Sequence, residues 1–434
     1  MLRNAVYQNH KTRQGAALGA IAAVTVLHGL IHGYSIFLSP LNEQMRLFFG
    51  AGTITAITAM KATYLVVYAT GNLAVGVLTN RLSARATLAA GMVVNGLAVA
   101  GFALIGPDQL PIMHLLWGVA ALGGSVYHPI ANVLITRLYP NRKGTVLGIT
   151  GMGAAVGFAF APLLTGLLSG RLGFGWQQIA LLFGVSGAAM GIVAWFFIPG
   201  RAAMREHAQR DTPESSAHDR PAALAGSSDG AAGTPRLSTA GGCSAPSGTF
   251  LIGMVIAIAC LREIAMWSVL DISDFFLTAV LADSTRTGWF LFLLYLPGVF
   301  VKPLVGSLSD RVGRAELSAG ALLLYGLTFA AAAIAGPRGL AWVYLLMGIG
   351  QAATIPSIEA IVADRTTAQN RGLVFGIFVT AGIGLGAVGP LVSGMALDAW
   401  GGTVDAFRRW YLVLGALPFA GGLMMVSLRS RLSR

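Results

Sequence analysis

Long apolar runs alternate with short polar turns along almost the whole chain. A helix rises 1.5 Å per residue, so about 20 such residues cross the roughly 30 Å hydrocarbon core of a bilayer. The pattern predicts an all-α membrane protein with twelve transmembrane helices, here numbered as spans 1 to 12. The predicted spans are residues 16–39, 53–79, 86–106, 110–135, 145–168, 176–198, 249–281, 286–308, 315–335, 339–362, 371–397 and 410–428.

Spans 5 and 11 share a pattern of small residues followed by Gly or Ala, then Pro. Each follows a basic turn, and small residues every third or fourth position let a neighbouring helix approach closely. A proline in a packed membrane helix loosens the backbone, so we expect both helices to act as hinges. The hinge positions are Gly148, Gly157, Pro162 and Gly166 in span 5, and Gly376, Gly389, Pro390 and Gly394 in span 11. The chain is therefore predicted to be duplicated, as in secondary transporters.

Composition and charge agree with a membrane protein. Of 434 residues 55% are hydrophobic and only 11% charged, which excludes an ordinary soluble domain. The net charge of +12 is concentrated in alternate turns, and this bias predicts that both termini are cytoplasmic in an inner membrane. The basic charge is then a topology signal, and no nucleic-acid partner is expected.

The polar stretch between spans 6 and 7 is rich in Ala, Gly, Ser and Pro and lacks apolar periodicity. Such a composition cannot bury a core and is typical of a flexible linker. We predict a six-helix bundle at 1–198, a cytoplasmic linker at 199–248 and a second six-helix bundle at 249–434. Cys243 and Cys260 have no metal or redox spacing.

Two turns carry a glycine-and-arginine signature at corresponding places, after spans 2 and 8. The residues are Gly76, Asn80 and Arg81 in the first turn and Gly306, Asp310, Arg311, Gly313 and Arg314 in the second. The second turn resembles the loop signature of the major facilitator superfamily, and the Gly-Pro pattern of span 5 resembles that family's antiporter-associated signature. This resemblance implies a two-bundle transporter in which these loops gate the cytoplasmic face. The alternative is that both loops only hold the positive-inside topology.

Spans 1, 4, 7 and 10 hold most of the intramembrane ionisable residues, which are costly in a bilayer unless they face a cavity or a partner. In the resembled family these four spans line the central cavity. Candidate substrate or proton sites are His28, His32, Trp117, Tyr127, His128, Arg262, Glu263, Trp267, Asp271, Asp274 and Glu359.

Each of these candidates also has a purely structural interpretation. His28 and His32 share a helix face; they either exchange protons or form a neutral pair bonded to backbone, and without a third ligand we expect no metal. Arg262 and Glu263 either neutralise each other or bind an anion and a proton. Asp271 and Asp274 are cavity acids or solvated acids at the external mouth, and Glu359 is a cavity acid or a partner of nearby arginines.

Two further intramembrane features remain open. The Ser125-Val-Tyr-His-Pro129 segment resembles the fosmidomycin-resistance branch of drug exporters, and His128 there either takes part in coupling or only fixes a kink. Lys302 is expected to snorkel toward the cytoplasmic interface.

The first functional hypothesis is a proton-coupled exporter of small amphipathic molecules, with aromatic side chains contacting the substrate. The second is a proton-coupled importer of an organic anion held by Arg262 or Lys61. The third is a non-transporting sensor or intramembrane enzyme, although the sequence offers no catalytic set. We expect no enzyme activity and no cofactor, and a monomer in the lipid bilayer.

Overall fold

The structure is a computed structural model, and it describes residues 2–79, 81–139, 143–200, 245–281, 286–367 and 371–432. All regular elements in these ranges are helices. The N-terminal helices are Leu2–Tyr34 (span 1), Thr55–Leu78 (span 2), Ala84–Gly101 (span 3), Leu110–Ser125 with Tyr127–Leu138 (span 4), Lys143–Leu172 (span 5) and Trp176–Phe197 (span 6). The C-terminal helices are Ala245–Leu281 (span 7), Thr287–Tyr295 with Pro297–Val312 (span 8), Arg314–Ile334 (span 9), Leu340–Asp364 (span 10), Arg371–Gly386 with Val388–Ala399 (span 11) and Val404–Leu432 (span 12).

The predicted all-α membrane fold is confirmed. Eleven segments of the described chain are long and apolar enough to cross a membrane. The remaining crossing is span 2, whose 24 residues include the buried polar side chains of Lys61 and Asn72. A short 3-10 helix, Ser39–Leu41, and the helix Asn42–Phe48 join spans 1 and 2.

Three spans are interrupted where a proline removes a helical hydrogen bond. The breaks lie at Val126, Leu296 and Ala387, each within three residues before a proline. In span 4, Pro129 has no N–H to donate to the carbonyl of Ser125. That carbonyl instead accepts a hydrogen bond from Asn72 Nδ2 at 3.3 Å. Span 5, in contrast, continues unbroken through Pro162, so the two predicted hinge helices differ in the structure.

Matching glycine contacts show the pseudo-symmetry of the two halves. Spans 3 and 6 touch at Gly96 and Gly184, where an added Cβ would lie 2.7 Å and 2.6 Å from the other glycine's carbonyl oxygen. Spans 9 and 12 touch in the same way at Gly326 and Gly415, with both distances 2.8 Å. Each half therefore packs its third and sixth helices backbone to backbone. Such close packing stabilises helix pairs in a membrane, because lipid provides no hydrophobic driving force between them.

The halves meet through span 2 against span 11 and span 5 against span 8. We call the end with the turns after spans 2 and 8 the basic face, and the other end the opposite face. Near the opposite face the contacts are tight: a Cβ at Gly394 would overlap Thr58, and one at Gly288 would overlap the carbonyl of Pro162. The two halves are thus closed together on the opposite face.

At the basic face the predicted glycines make no such close contacts. The predicted hinge and gate glycines nearest that face, Gly76, Gly148, Gly306 and Gly376, have open space where a Cβ would stand. Close contact between the halves near the opposite face is expected in one of the two states of a transporter built from paired bundles.

Candidate functional site: a polar chamber between the halves

Three histidines form a cluster on the N-terminal half. His28 and His32 lie one turn apart on span 1, and their Nε2 atoms are 3.1 Å apart. The break in span 4 places His128 against both, with ring centroids 5.1 Å from His28 and 5.4 Å from His32. The predicted pair is therefore a triad, and its third member comes from a different helix.

Backbone and aromatic contacts orient this triad. His28 Nδ1 lies 2.7 Å from the carbonyl oxygen of Thr150 and donates its proton to it, so the lone pair of His28 is on Nε2. The Tyr127 ring stacks on His28 at 4.5 Å, and its hydroxyl donates to the carbonyl of Val24 at 2.9 Å. Tyr127 thus supports His28 from behind and is itself buried.

The charged pair on span 7 is fixed against span 10. Arg262 forms an ion pair with Glu263, and its Nε donates to Thr354 Oγ1 at 3.1 Å. Its other terminal nitrogen lies 3.5 Å from the carbonyl oxygen of Gln351. Arg262 is 3% exposed, whereas the Glu263 side chain is 15% exposed. Mutual neutralisation is the arrangement observed, with Glu263 the more accessible member.

Aromatic side chains connect the histidine triad with the span 7 pair. Phe158 of span 5 packs 4.6 Å from His32, 4.9 Å from Tyr295 and 6.3 Å from Trp267. Sequence reasoning missed Phe158 and Tyr295, although Phe158 directly follows Gly157 of the span 5 pattern. We call the region formed by the triad, these aromatic rings and Glu263 the chamber.

Lys302 and Glu359 belong to the chamber's charge set. Lys302 is within electrostatic reach of His28 and His32 on one half and of Glu263 and Glu359 on the other. This position among titratable groups of spans 1, 7 and 10 differs from the predicted snorkelling toward the interface. Glu359 shares the field of Lys302 and Arg262, which favours its interpretation as a cavity acid.

Asp271 and Asp274 are buried near the opposite face, so they are not solvated acids. They are 2% and 0% exposed. Asp271 Oδ1 accepts from Asn42 Nδ2 at 3.2 Å, and Asp274 Oδ2 accepts from the backbone N–H of Glu43 at 2.9 Å. Both bonds join span 7 to the segment between spans 1 and 2, and so they connect the two halves.

Asp398, which the sequence analysis did not single out, is a third carboxylate that joins the two halves. We call Asp271, Asp274 and Asp398 together the carboxylate seam. Asp398, at the end of span 11, accepts from the backbone N–H groups of Ile54 and Thr55 at 2.7 and 2.9 Å. These donors begin span 2, where the helix dipole favours a negative charge. Nothing local in the sequence indicates that Asp398 caps a helix of the other half.

Lys61 and Trp117 lie behind the seam rather than in the chamber. Lys61 donates to the carbonyl of Ser35 and stands 5.5 Å from the centre of the Trp117 ring. Trp117 packs on Phe102 at 5.0 Å and is 4% exposed. The structure therefore places Trp117 in the core of the N-terminal half, beside a small cavity that Lys61 and Asp271 also line. Its contact with substrate stays a prediction.

The signature turns are partly described. Gly313 has φ 108°, which favours glycine, and it directly precedes span 9 as its N-cap. Arg314 pairs with Asp364 and donates to the carbonyl of Ala360 at 3.0 Å, so it joins spans 9 and 10 within one half. Arg311 is exposed.

Some predicted features lie outside the described residues. These are Asn80, the side chain of Asp310 and linker residues 201–244. The proposed gating by both turns, like the proposed linker, stays a prediction.

The hinge glycines near the opposite face make the predicted close contacts. A Cβ at Gly157 would overlap the carbonyl oxygen of Gly29 in span 1. One at Gly389 would overlap the carbonyl oxygen of Ile264 in span 7, and the backbone of Gly166 lies against Gly288 of span 8. Pro390 is buried beside the Ala387 break.

Curated relatives of this chain are transporters. The chain is 23% identical over 350 residues to the uncharacterized MFS-type transporter YfnC of Bacillus subtilis, covering 80% of this chain and 78% of that protein. It is 26% identical over 138 residues to the MFS-type efflux transporter pyiT of Pyricularia grisea, but this covers only 31% of this chain and 21% of the relative.

Solved transporter structures share the fold. A bacterial homolog to the human lysosomal transporter Spinster, inward-facing and unoccupied, matches with a TM-score of 0.68 and 17% identity over 96% of both chains. The nucleoside transporter NupG, solved as a mutant protein, matches with a TM-score of 0.70 and 14% identity, covering 95% of this chain and 99% of that chain. At these identities the likeness shows the fold alone.

The Major Facilitator Superfamily family model matches residues 21–267 and 240–433, and the two matches together span nearly all the described helices. The particular likeness to the fosmidomycin-resistance branch stays a prediction. With the twelve helices and the paired bundles, this match establishes that the chain is a multi-pass membrane transporter of the major facilitator superfamily.

Proposed function

We propose that this transporter is a proton-coupled exporter of small amphipathic molecules that works by alternating access. The observation that carries the proposal is the chamber itself, where titratable groups of both halves face one another across aromatic rings. His32 contacts Phe158, and Phe158 contacts Trp267 beside Glu263. Aromatic walls suit an apolar substrate, and the titratable groups suit exchange of a proton for it.

Glu263 is the group we assign to proton exchange. Its carboxylate is more exposed than the side chain of its partner Arg262. Glu263 can therefore take a proton or contact a substrate while Arg262 stays hydrogen-bonded to Thr354 of span 10. A protonated Glu263 no longer neutralises Arg262, and this couples the charge of the chamber to its occupancy. The name of the efflux transporter pyiT agrees with export but covers too little of the chain to carry it.

Substrate-driven proton movement in proteoliposomes tests the proposal. With a panel of amphipathic cations, the wild-type protein should move protons opposite to the substrate, and Glu263→Gln should lose that movement while keeping substrate binding. Asp405→Asn is the matched control, since Asp405 is an exposed acid at the start of span 12. Unchanged coupling in Glu263→Gln would contradict the assignment.

Import of an organic anion is the second candidate, and Lys302 favours it. Arg262 and Lys61, the cations first assigned to the anion, already donate to protein acceptors. Lys302 lies within electrostatic range of His32 on one half and of Glu359 on the other, and it has no hydrogen bond or ion pair among the described residues. Uptake of a labelled carboxylate that Lys302→Gln abolishes and Lys302→Arg retains would favour import over export.

Topology is part of the proposal. We place the protein in the inner membrane as a monomer, with both termini and the basic face in the cytoplasm, so that the described state opens inward. Reporter fusions at the turns after spans 2 and 8 should both report the cytoplasm. Fusions that report opposite sides would contradict the two-bundle arrangement of the proposal.

A further inference from the structure

We infer that His28, His32 and His128 form a binding site for a divalent transition-metal ion, with zinc-like preference. One ligand atom from each ring lies within 4.8 Å of those of the other two. The Nε2 atoms of His28 and His32 are already 3.1 Å apart. Two nitrogens bound to one tetrahedral ion at about 2.0–2.1 Å stand roughly 3.3 Å apart, so this pair is nearly at ligand spacing.

The orientation of His28 is that of a metal ligand. Its Nδ1 donates to the carbonyl of Thr150 at 2.7 Å, which leaves the Nε2 lone pair directed at the other two rings. Metal-bound histidines usually donate their second nitrogen to a carbonyl or carboxylate in this way, because it fixes the tautomer and the ring. The stacked ring of Tyr127 holds the same imidazole from its face.

A purely hydrogen-bonded triad accounts for less of the geometry. The His28–His32 contact satisfies one nitrogen of each of those rings, but within the described residues His128 has no hydrogen-bond partner. The helix break brings His128 next to His28 and His32 without a hydrogen-bond partner among the described residues. A metal ion would use such an imidazole as its third ligand. No third ligand for the pair was evident from sequence spacing, because His128 lies on another span.

The donor set selects the kind of ion. Three neutral imidazoles suit Zn²⁺, Co²⁺, Ni²⁺ or Cu²⁺, whereas Mg²⁺ and Ca²⁺ prefer oxygen ligands. Three protein ligands leave one position of a tetrahedral ion for water or a substrate group. The positive charge of the nearby Lys302 repels a metal cation and should lower the affinity of the triad for it.

The test uses Co²⁺ and Zn²⁺ on the purified full chain with its affinity tag removed. The chain has seven histidines, and a background variant carries Gln at His10, His114, His207 and His218, so that only the triad remains. We expect one Co²⁺ per chain with the visible absorption of a tetrahedral site, displaced by Zn²⁺. Each of His28→Gln, His32→Gln and His128→Gln should weaken Zn²⁺ binding by about tenfold or more.

Two further variants separate metal binding from misfolding. His114→Gln in the wild-type chain is the matched control, since His114 lies on span 4 but bonds to Thr63 at 3.1 Å away from the triad. His128→Cys supplies a thiolate ligand and should keep Co²⁺ while adding a sulfur-to-cobalt charge-transfer band. Absence of stoichiometric Co²⁺ in the background variant, or binding that survives all three Gln variants, would overturn the inference. Because the readout is binding, it stands or fails independently of proton-coupled export.

Discussion

The effect of replacing a glycine in this protein depends on which atoms lie next to that glycine. Gly157 sits where a side chain would enter the backbone of span 1, whereas Gly376 in the corresponding helix of the other half faces open space. The two residues look alike in the sequence pattern. Their surroundings differ because Gly157 packs against Gly29 of span 1 within its own half, whereas a Cβ at Gly376 would have no neighbour within 4 Å.

Gly157→Ala should therefore destabilise the protein and Gly376→Ala should not. The added methyl at position 157 overlaps the Gly29 carbonyl, and overpacking of this kind costs about 1–3 kcal/mol. At position 376 alanine is a better helix former than glycine by up to about 1 kcal/mol. Thermal unfolding in detergent measures both, and equal melting temperatures for the two variants would contradict the close contact.

Arg262 and Glu263 should show strong thermodynamic coupling. Replacing Arg262 by Gln leaves the Glu263 carboxylate without its partner in a largely buried position, which typically costs roughly 3–5 kcal/mol. The double variant Arg262→Gln/Glu263→Gln removes both charges and should be more stable than Arg262→Gln alone. A double-mutant cycle of unfolding free energies measures the coupling, and simple additivity would mean that the pair is not formed.

Among the elements, the ends of helices supply polar contacts between the halves. Asp398 ends span 11 and caps the start of span 2, and the carboxylates of span 7 bond to the segment before span 2. The break at Val126 lies two residues before His128, which contacts both histidines of span 1. The seam thus depends on helix ends, and the histidine triad depends on a helix break.

Asp398→Asn should shift the protein toward the state open on the opposite face. Asparagine loses the charge that two N–H groups at the start of span 2 bond to, and a charge-assisted hydrogen bond contributes about 1.5–3 kcal/mol. That energy corresponds to roughly a tenfold to hundredfold change in the ratio of the two states. Thiol labelling of Thr58→Cys, with Cys243 and Cys260 replaced by Ser, reports the opening, and Asp405→Asn serves as the control. Labelling that does not rise would show that the seam does not hold this face closed.

For the whole molecule, the described state is closed at the opposite face, and alternating access requires a second state in which that face opens and the basic face closes. We expect Gly76 and Gly376, which have free space beside them, to lie on surfaces that meet in that second state. This expectation leads to a prediction about the transport cycle rather than about stability.

Gly76→Trp combined with Gly376→Trp should stop transport while leaving the fold intact. Both positions have open space in the described state, so the bulky rings can be accommodated there, but they block approach of span 2 to span 11. We expect transport to fall at least tenfold with a melting temperature near that of the wild type. Transport at the wild-type rate would mean that these helices do not meet at the basic face.

Much of this protein was predictable from local patterns. Apolar runs set the twelve crossings, the repeated glycine pattern indicated the duplication, and polar residues in spans 1, 4, 7 and 10 marked the chamber. These features depend on the bilayer and on helix geometry, which act on every residue in the same way. They needed no knowledge of which helices touch.

Only the tertiary structure decided which of those residues work together. It joined His128 to the histidines of span 1, placed Trp117 in the core, brought Lys302 inward and made Asp271, Asp274 and Asp398 a seam. Each of these contacts joins residues on different helices, so no periodicity along the chain encodes them. The sequence determines that the chain is a paired-bundle membrane protein with polar groups in its centre. The packing of one bundle against the other determines which of those groups face the chamber and which seal it.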